Sequence, residues 1–245
     1  MIDAETLQQL AIQYQTTALN VAREYCQHVF LSAFYQESAA ERVLFKGGTA
    51  LRVIYGSPRF SEDLDFSGVG IRQAGIETLI TDTLSTVERV GLDLDIVEAT
   101  KTRGGYLGVI HSRFLDYHVE MQLEISLRAR AQVTPATALI ASDFLPAYTL
   151  LHVPQEVLIG EKLHALRDRA KPRDFYDLYF ILRKGLLSPA GRRVLPQVLT
   201  QLKGMRPESF QELKQFLPRS QQGLVKNFRT TLEREVKRYL LASND

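Results

Sequence analysis

The stretch from residue 92 to 128 narrows the choice of fold more than any other. "LDLDIVEA", "GYLGVIHSRF" and "YHVEMQLEISLR" follow one another as short strand-like segments, the third with polar and apolar residues alternating throughout. Alternation is the period of a strand, so three consecutive strands are expected. In the third, Val119, Met121, Leu123 and Ile125 fall on one face and Glu120, Gln122 and Glu124 on the other. Before this block, residues 4 to 40 are rich in Ala, Leu and Gln and hold no Pro or Gly, which predicts helix. "RVLFKGG" predicts a short strand ending in glycines, "TALRVIYG" a short helix closed by Gly56, and "SPRFSE" a loop with Pro58 and Ser61 as its turn residues. "DLDFSG" alternates and predicts another strand, and residues 71 to 90 return to a helical pattern. "PATALIASDFLPAYTLLHVP" reads as a proline-bracketed connection. From Pro154 onward every segment is helical in pattern: 154 to 169, 172 to 185, 188 to 203, 207 to 217 and 220 to 241. A mixed α/β part over residues 1–150 followed by a helical domain over 151–245 is the expected layout.

The bulk numbers exclude several function classes. A net charge of +2 over 245 residues means that any nucleic-acid contact comes from a local patch. One cysteine, Cys26, allows no internal disulfide and no cysteine-built zinc site, which suits a reducing cytoplasm. The N-terminal "MIDAETLQQL" does not read as a signal peptide, and no apolar run approaches the roughly 20 residues of a membrane span. The five histidines show no His-x-x-x-His spacing, and there is neither a P-loop nor a nucleophile elbow.

The chemistry concentrates in "FKGGTALRVIYGSPRFSEDLDF", residues 45 to 66. On a strand Asp63 and Asp65 project to the same side, with Leu64 and Phe66 on the other. Two like charges so placed repel and raise each other's pKa. A divalent cation resolves the repulsion. Magnesium, or manganese in its place, takes hard oxygen ligands and commonly combines one or two carboxylates with substrate phosphates. Upstream, Gly47 and Gly48 let a backbone approach a phosphate closely, and Thr49 adds a hydroxyl. Further on, "GEKLHALRDRAKPRDFYDLYFIL" gathers Lys162, Arg167, Arg169, Lys171 and Arg173 with Asp174 and Asp177. Asp174 sits where an acid caps a helix, and Asp177 lies one turn deeper.

"GGT" followed by "DLD" resembles the signature of the nucleotidyltransferase superfamily with the DNA polymerase β type fold. The fuller string, with "GEKLHAL" and "RDFYDLY", is similar to the AbiEii/AbiGii toxin family of nucleotidyltransferases. The resemblance implies an α+β fold: a polymerase-β-like mixed sheet with flanking helices, then a C-terminal helical domain, with the nucleotide in a cleft. It implies a magnesium-dependent transfer of a nucleoside monophosphate from a nucleoside triphosphate to an acceptor hydroxyl. Asp63 and Asp65 would hold the metal. Gly47, Gly48, Thr49 and Arg52 would bind the nucleotide. Glu124, or Glu120 in its place, would be the third carboxylate. Lys162 would meet the triphosphate, and Asp177 would be its partner or a nucleotide contact. The acceptor it suggests is the 3′ end of tRNA, in a toxin–antitoxin and phage-defence setting with a cognate antitoxin protein as a partner. Arg192, Arg193, Lys203, Arg206, Lys214, Lys226, Arg229, Lys237 and Arg238 would be available to RNA phosphates. A small-molecule or protein hydroxyl as acceptor, and a catalytically silent binding partner, stay open beside it.

Overall fold

The computed structural model describes residues 1–127 and 133–241, so the last residue of the third expected strand, Arg128, lies outside the described residues. The chain divides into two compact units, one of residues Met1–Gly56 and Phe60–Pro154, the other of Ser57–Arg59 and Gln155 onward.

The first unit is built on one mixed sheet. Its elements are α1 (Ala4–Gln13), α2 (Ala18–Phe34), β1 (Val43–Lys46), α3 (Gly47–Val53), β2 (Leu64–Gly68), α4 (Gln73–Arg89), β3 (Asp93–Thr102), β4 (Gly105–Phe114), β5 (Tyr117–Ser126), β6 (Ala136–Ile140) and β7 (Tyr148–His152). The seven strands lie in the order β3-β4-β5-β2-β1-β7-β6. β2 runs parallel to β5 and β1 parallel to β7; the remaining neighbours are antiparallel. The chain is thus an α+β protein with a seven-stranded mixed sheet and flanking helices.

The alternation in β5 is realised in full: Val119, Met121, Leu123 and Ile125 are buried, while Glu120, Gln122 and Glu124 are exposed. The apolar face is sealed chiefly by α2. That helix buries residues around most of its circumference, including Tyr25, Cys26, Phe30 and Phe34. Phe34 meets Phe66 of β2 at 5.1 Å between ring centroids, and Phe66 meets Phe45 of β1 at 5.4 Å. Each such fully buried ring contributes about 1.5–3 kcal/mol. Cys26 is among them, its Sγ 3.8 Å from Ser112 Oγ, and burial pushes its thiol up to about 12. It is a small core residue in function.

Three expectations for the first unit need correction. The helix over 4–40 is two helices: the chain turns at Gln15, which takes φ 55°, and Thr17 then caps α2 by accepting from Asn20 N at 3.2 Å. The turn needs no glycine because a single left-handed residue suffices, and the threonine gives the second helix its start. The connection over 135–154 holds two strands, β6 and β7, paired antiparallel. β7 also lies parallel to β1. Asp63 stands one residue before β2 rather than inside it.

The second unit is helical. α5 (Gln155–Arg169) and α6 (Pro172–Arg183) are followed by α7 (Leu195–Gly204) and α8 (Phe228–Leu241). The stretches Pro207–Phe216 and Arg219–Asn227 are 3₁₀ helix, so the segment 220–241 is not one α-helix. Leu163, Leu166, Phe175, Leu178, Val198, Leu202, Phe210, Phe228 and Leu232 fill its core. Asp174 acts as a capping acid, accepting from Lys171 N at 3.0 Å and from the Arg169 guanidinium at 3.0 and 2.8 Å.

Candidate active site

In the first unit, β1 runs straight into α3, and the reversal is made by Gly47 with φ +83°. Only glycine adopts that region without strain. The reason for glycine is also spatial. A Cβ at position 47 would lie 1.9 Å from Asp65 Oδ2, so the carboxylate rests against the bare backbone. β-pairing fixes the neighbours of Asp65: Lys46 is its partner in β1 and Glu124 its partner in β5. Lys46, Asp65 and Glu124 therefore form one row across three strands, on the face that carries Gln122 and Glu120. Among the described residues the half-buried Asp65 carboxylate has neither a hydrogen bond nor an ion pair. A half-buried acid left without a partner is poised for a ligand, since an unmet anion is costly.

Thr49 is buried, and its hydroxyl donates to the backbone carbonyl of Asp63. In this structure the threonine ties α3 to the approach of β2 and sets where the aspartates begin. Arg52 is engaged too. Its guanidinium makes a two-pronged pair with Glu24 of α2 at 2.6 and 2.7 Å and lies 3.6 Å from the centroid of the Phe60 ring. Glu24, which no local pattern marks, is the acid that anchors it.

Gly47→Ala follows as a first prediction. The new methyl meets Asp65 Oδ2, and an L-residue at φ +83° adds about 1–2 kcal/mol of backbone strain. The expected result is a folded, slightly less stable protein with nucleotidyl transfer reduced at least about a hundredfold, because a small misplacement of reacting groups costs that much. Activity within a few-fold of wild type would show that the close approach is immaterial.

In the second unit, the structure brings Lys162 of α5 and Asp177 of α6 together, with Nζ 2.8 Å from Oδ2. It adds a residue that the sequence reading passed over. Arg59 clamps the same carboxylate through Nε to Oδ1 at 2.9 Å and its terminal nitrogen to Oδ2 at 3.1 Å. Asp177 is 1 % exposed and Arg59 4 %. Burial alone would raise the Asp177 carboxyl; Arg59, then Lys162, outweigh it and hold the group below the usual carboxylate range. Of the two cations on this anion, Lys162 is the more exposed, at 13 %. The pairing spans 118 residues, so nothing local in "SPRFSE" announces it.

Asp63, Asp65, Glu124, Gly47, Gly48, Thr49 and Arg52 belong to the first unit, Lys162 and Asp177 to the second. Among the described residues no group of three or more His, Cys, Asp and Glu side chains is arranged to share a metal ion. The donors beside Gly47 are the carboxylate oxygens of Asp65, hard ligands of the kind magnesium and manganese take.

The family described as nucleotidyl transferase AbiEii toxin, type IV TA system, matches residues 29–240, and the chain belongs to it. It is accordingly a nucleotidyltransferase. Two solved structures from Helicobacter pylori are similar in fold. JHP933 matches with a TM-score of 0.61 at 18% identity, over 94% of this chain and 98% of that one. A second, described as a candidate nucleotidyltransferase, matches with a TM-score of 0.55 at 20% identity, over 89% and 96%. No curated protein matches the sequence. Among the described residues no helix is long and apolar enough to cross a membrane.

Proposed function

We propose that this chain transfers a nucleoside monophosphate from a nucleoside triphosphate to the 3′ end of tRNA, as the toxin of a toxin–antitoxin pair in phage defence. The observation that carries the catalytic part is the unpartnered Asp65 carboxylate, held against Gly47 and in register with Glu124. Asp63 and Asp65 would hold magnesium or manganese, which supplies charge neutralisation at the phosphates. Gly47 and Gly48 leave backbone amides open to the phosphates at the start of α3, where no side chain caps the helix. Thr49 keeps Asp63 in position. Glu124, rather than the more distant Glu120, stands beside Asp65 and is placed to accept the proton of the attacking hydroxyl. Lys162 serves as the cation for the triphosphate and Asp177 as its partner. Attack at the α-phosphorus expels pyrophosphate, and catalysis consists of positioning and electrostatics.

The charge distribution supports an RNA acceptor. Residues 155–245 hold 18 Lys and Arg against 10 Asp and Glu, a surplus of +8, so residues 1–154 carry −6 of the whole-chain +2. A basic helical part of this size is the footprint expected for binding a polyanion. The test supplies labelled triphosphates with tRNA, a protein mixture and an aminoglycoside as alternative acceptors. Label on tRNA with a lengthened 3′ end, weakening steeply with added salt, is expected. Label on protein or antibiotic alone overturns the acceptor. No label on any acceptor, with the cellular phenotype retained, would leave a silent binding partner.

A further inference from the structure

The sequence does not say which groups read a base, but the second unit contains a cavity suited to one. It has a volume of about 360 Å³ and is lined by Pro58, Tyr176, Tyr179, Phe180, Arg183 and Gln221, among others. Sites for small ligands span roughly 300–1,000 Å³ and are mostly apolar with a few placed polar groups. Residues 176, 179, 180 and 183 are spaced i, i+3, i+4, i+7, so one face of α6 forms the wall. Tyr176 and Phe180 are buried on this face, and the half-buried Tyr179 is its accessible ring.

The wall is rigid and flat-sided. Tyr176 stacks on Phe228 at 6.0 Å and 22° between planes, and Phe228 packs on Phe210 at 5.0 Å. The half-buried Tyr179 is braced edge-on by Phe228 at 5.7 Å and lies 6.1 Å from Tyr176. The polar groups are equally set. The Tyr176 hydroxyl donates to Gln221 Oε1 at 2.8 Å, which fixes the amide, and among the described residues nothing accepts from its nitrogen. That leaves amide N–H donors for a ligand edge. Arg183 adds a guanidinium, steadied by Glu235 at 3.2 Å. Two chain neighbours complete the arrangement. Pro58 precedes Arg59 and Tyr176 precedes Asp177, so two lining residues of the cavity are the chain neighbours of members of the Arg59–Asp177–Lys162 cluster.

We infer that this cavity binds an unpaired nucleobase, stacked on Tyr179 and read along its edge by Gln221 and Arg183, with the adjoining phosphate drawn by the neighbouring cations. The inference rests on the nucleotidyl-transfer reading and names the subsite that would give it base preference. An aromatic face with nearby cations accepts any base by stacking, while the fixed amide distinguishes among them. The base comes either from the incoming triphosphate or from the 3′ terminus of the acceptor RNA, and the experiment separates these.

Titration calorimetry of the whole protein with magnesium would use seven probes: each of the four nucleoside triphosphates in turn, inorganic tripolyphosphate, a ten-nucleotide single-stranded RNA, and the same RNA with an abasic 3′ residue. Tyr179→Ala should weaken the base-bearing probe about tenfold or more and leave tripolyphosphate unchanged. Tyr179→Phe, which keeps the aromatic face, should bind as wild type does. Gln221→Leu should weaken the four bases unequally. Loss confined to the triphosphates assigns the cavity to the incoming nucleotide. Loss confined to RNA, and absent with the abasic strand, assigns it to the acceptor terminus. Circular dichroism and melting check each variant, and if Tyr179→Ala is unfolded, Gln221→Leu carries the test. Wild-type binding that neither variant alters overturns this inference alone. A wild-type protein that binds no triphosphate and transfers none overturns the nucleotidyl-transfer reading and this one with it.

Discussion

Asp65→Asn is expected to remove nucleotidyl transfer while leaving the protein at least as stable as wild type. The substitution keeps the size and one oxygen of the side chain but deletes the charge. In the fold that charge is a burden. Asp65 is half-buried, it has no ion pair or hydrogen bond among the described residues, and Glu124 faces it from the next strand. Removing one of two neighbouring negative charges relieves repulsion, so the urea midpoint should hold or rise. In the reaction the same charge is needed wherever a dication and phosphates meet. Losing one such electrostatic group costs on the order of 10²–10³-fold in turnover. Activity and stability therefore move in opposite directions, the pattern of a residue kept for chemistry at some cost to the fold. The measurement pairs label transfer with a urea melt of the same preparation, alongside Asp63→Asn. Activity within tenfold of wild type, or a large loss of stability, would make Asp65 a structural residue and remove the basis for metal-assisted transfer.

How much of this could be read in the residues depends on how far apart the interacting groups lie along the chain. The strands β3, β4 and β5 and the turn at Gly47 are written locally, in period-two alternation and in a glycine placed between a strand and a helix. β6 and β7 are not. Each has five residues, and β6 has one buried residue, Ile140, so its alternation is too weak to outweigh the prolines around it. The 3₁₀ segments over 207–227 carry apolar spacings of three and four that serve either helix type, and only packing decides between them. The site divides in the same way. The acids announced themselves by pairing in an apolar frame. Arg59 and Glu24 did not, because their partners are 118 and 28 positions away, and ion pairs at that range leave no periodic trace; Lys46 did not either, because it meets Asp65 only through the register of β1 on β2. Arg52 illustrates the converse. Its position within the motif suggests the nucleotide, and its two-pronged bond to Glu24 and its contact with Phe60, which no local pattern announces, also tie α3 to α2.

Asp177 carries the second large effect, and here stability is the quantity that moves. Asp177→Ala removes the carboxylate that the buried Arg59 and the half-buried Lys162 share. Breaking a buried ion pair by removing one partner costs about 3–5 kcal/mol, because the remaining charge is stranded away from water. In a domain of ordinary stability, about 5–15 kcal/mol, that loss exposes much of the helical unit to proteolysis or heat. Lys162→Met should cost far less, since Arg59 still holds both carboxylate oxygens, while removing the cation proposed for the triphosphate. The two variants thus separate a structural inactivation from a chemical one: Asp177→Ala inactive and destabilised, Lys162→Met inactive and folded. The pH dependence has a fixed sign. The folded-state pKa of Asp177 lies below its unfolded value of about 3.9, so its contribution is complete above that value and is lost as pH falls through the folded one. Wild-type urea midpoints should therefore drop more steeply below about pH 4 than those of Asp177→Asn, which has no carboxyl to protonate at that position. Equal midpoints for wild type and Asp177→Ala at neutral pH, or parallel acid limbs for wild type and Asp177→Asn, would mean that the clamp contributes nothing to the fold. Lys162 would then have to be held for catalysis by something other than its acid.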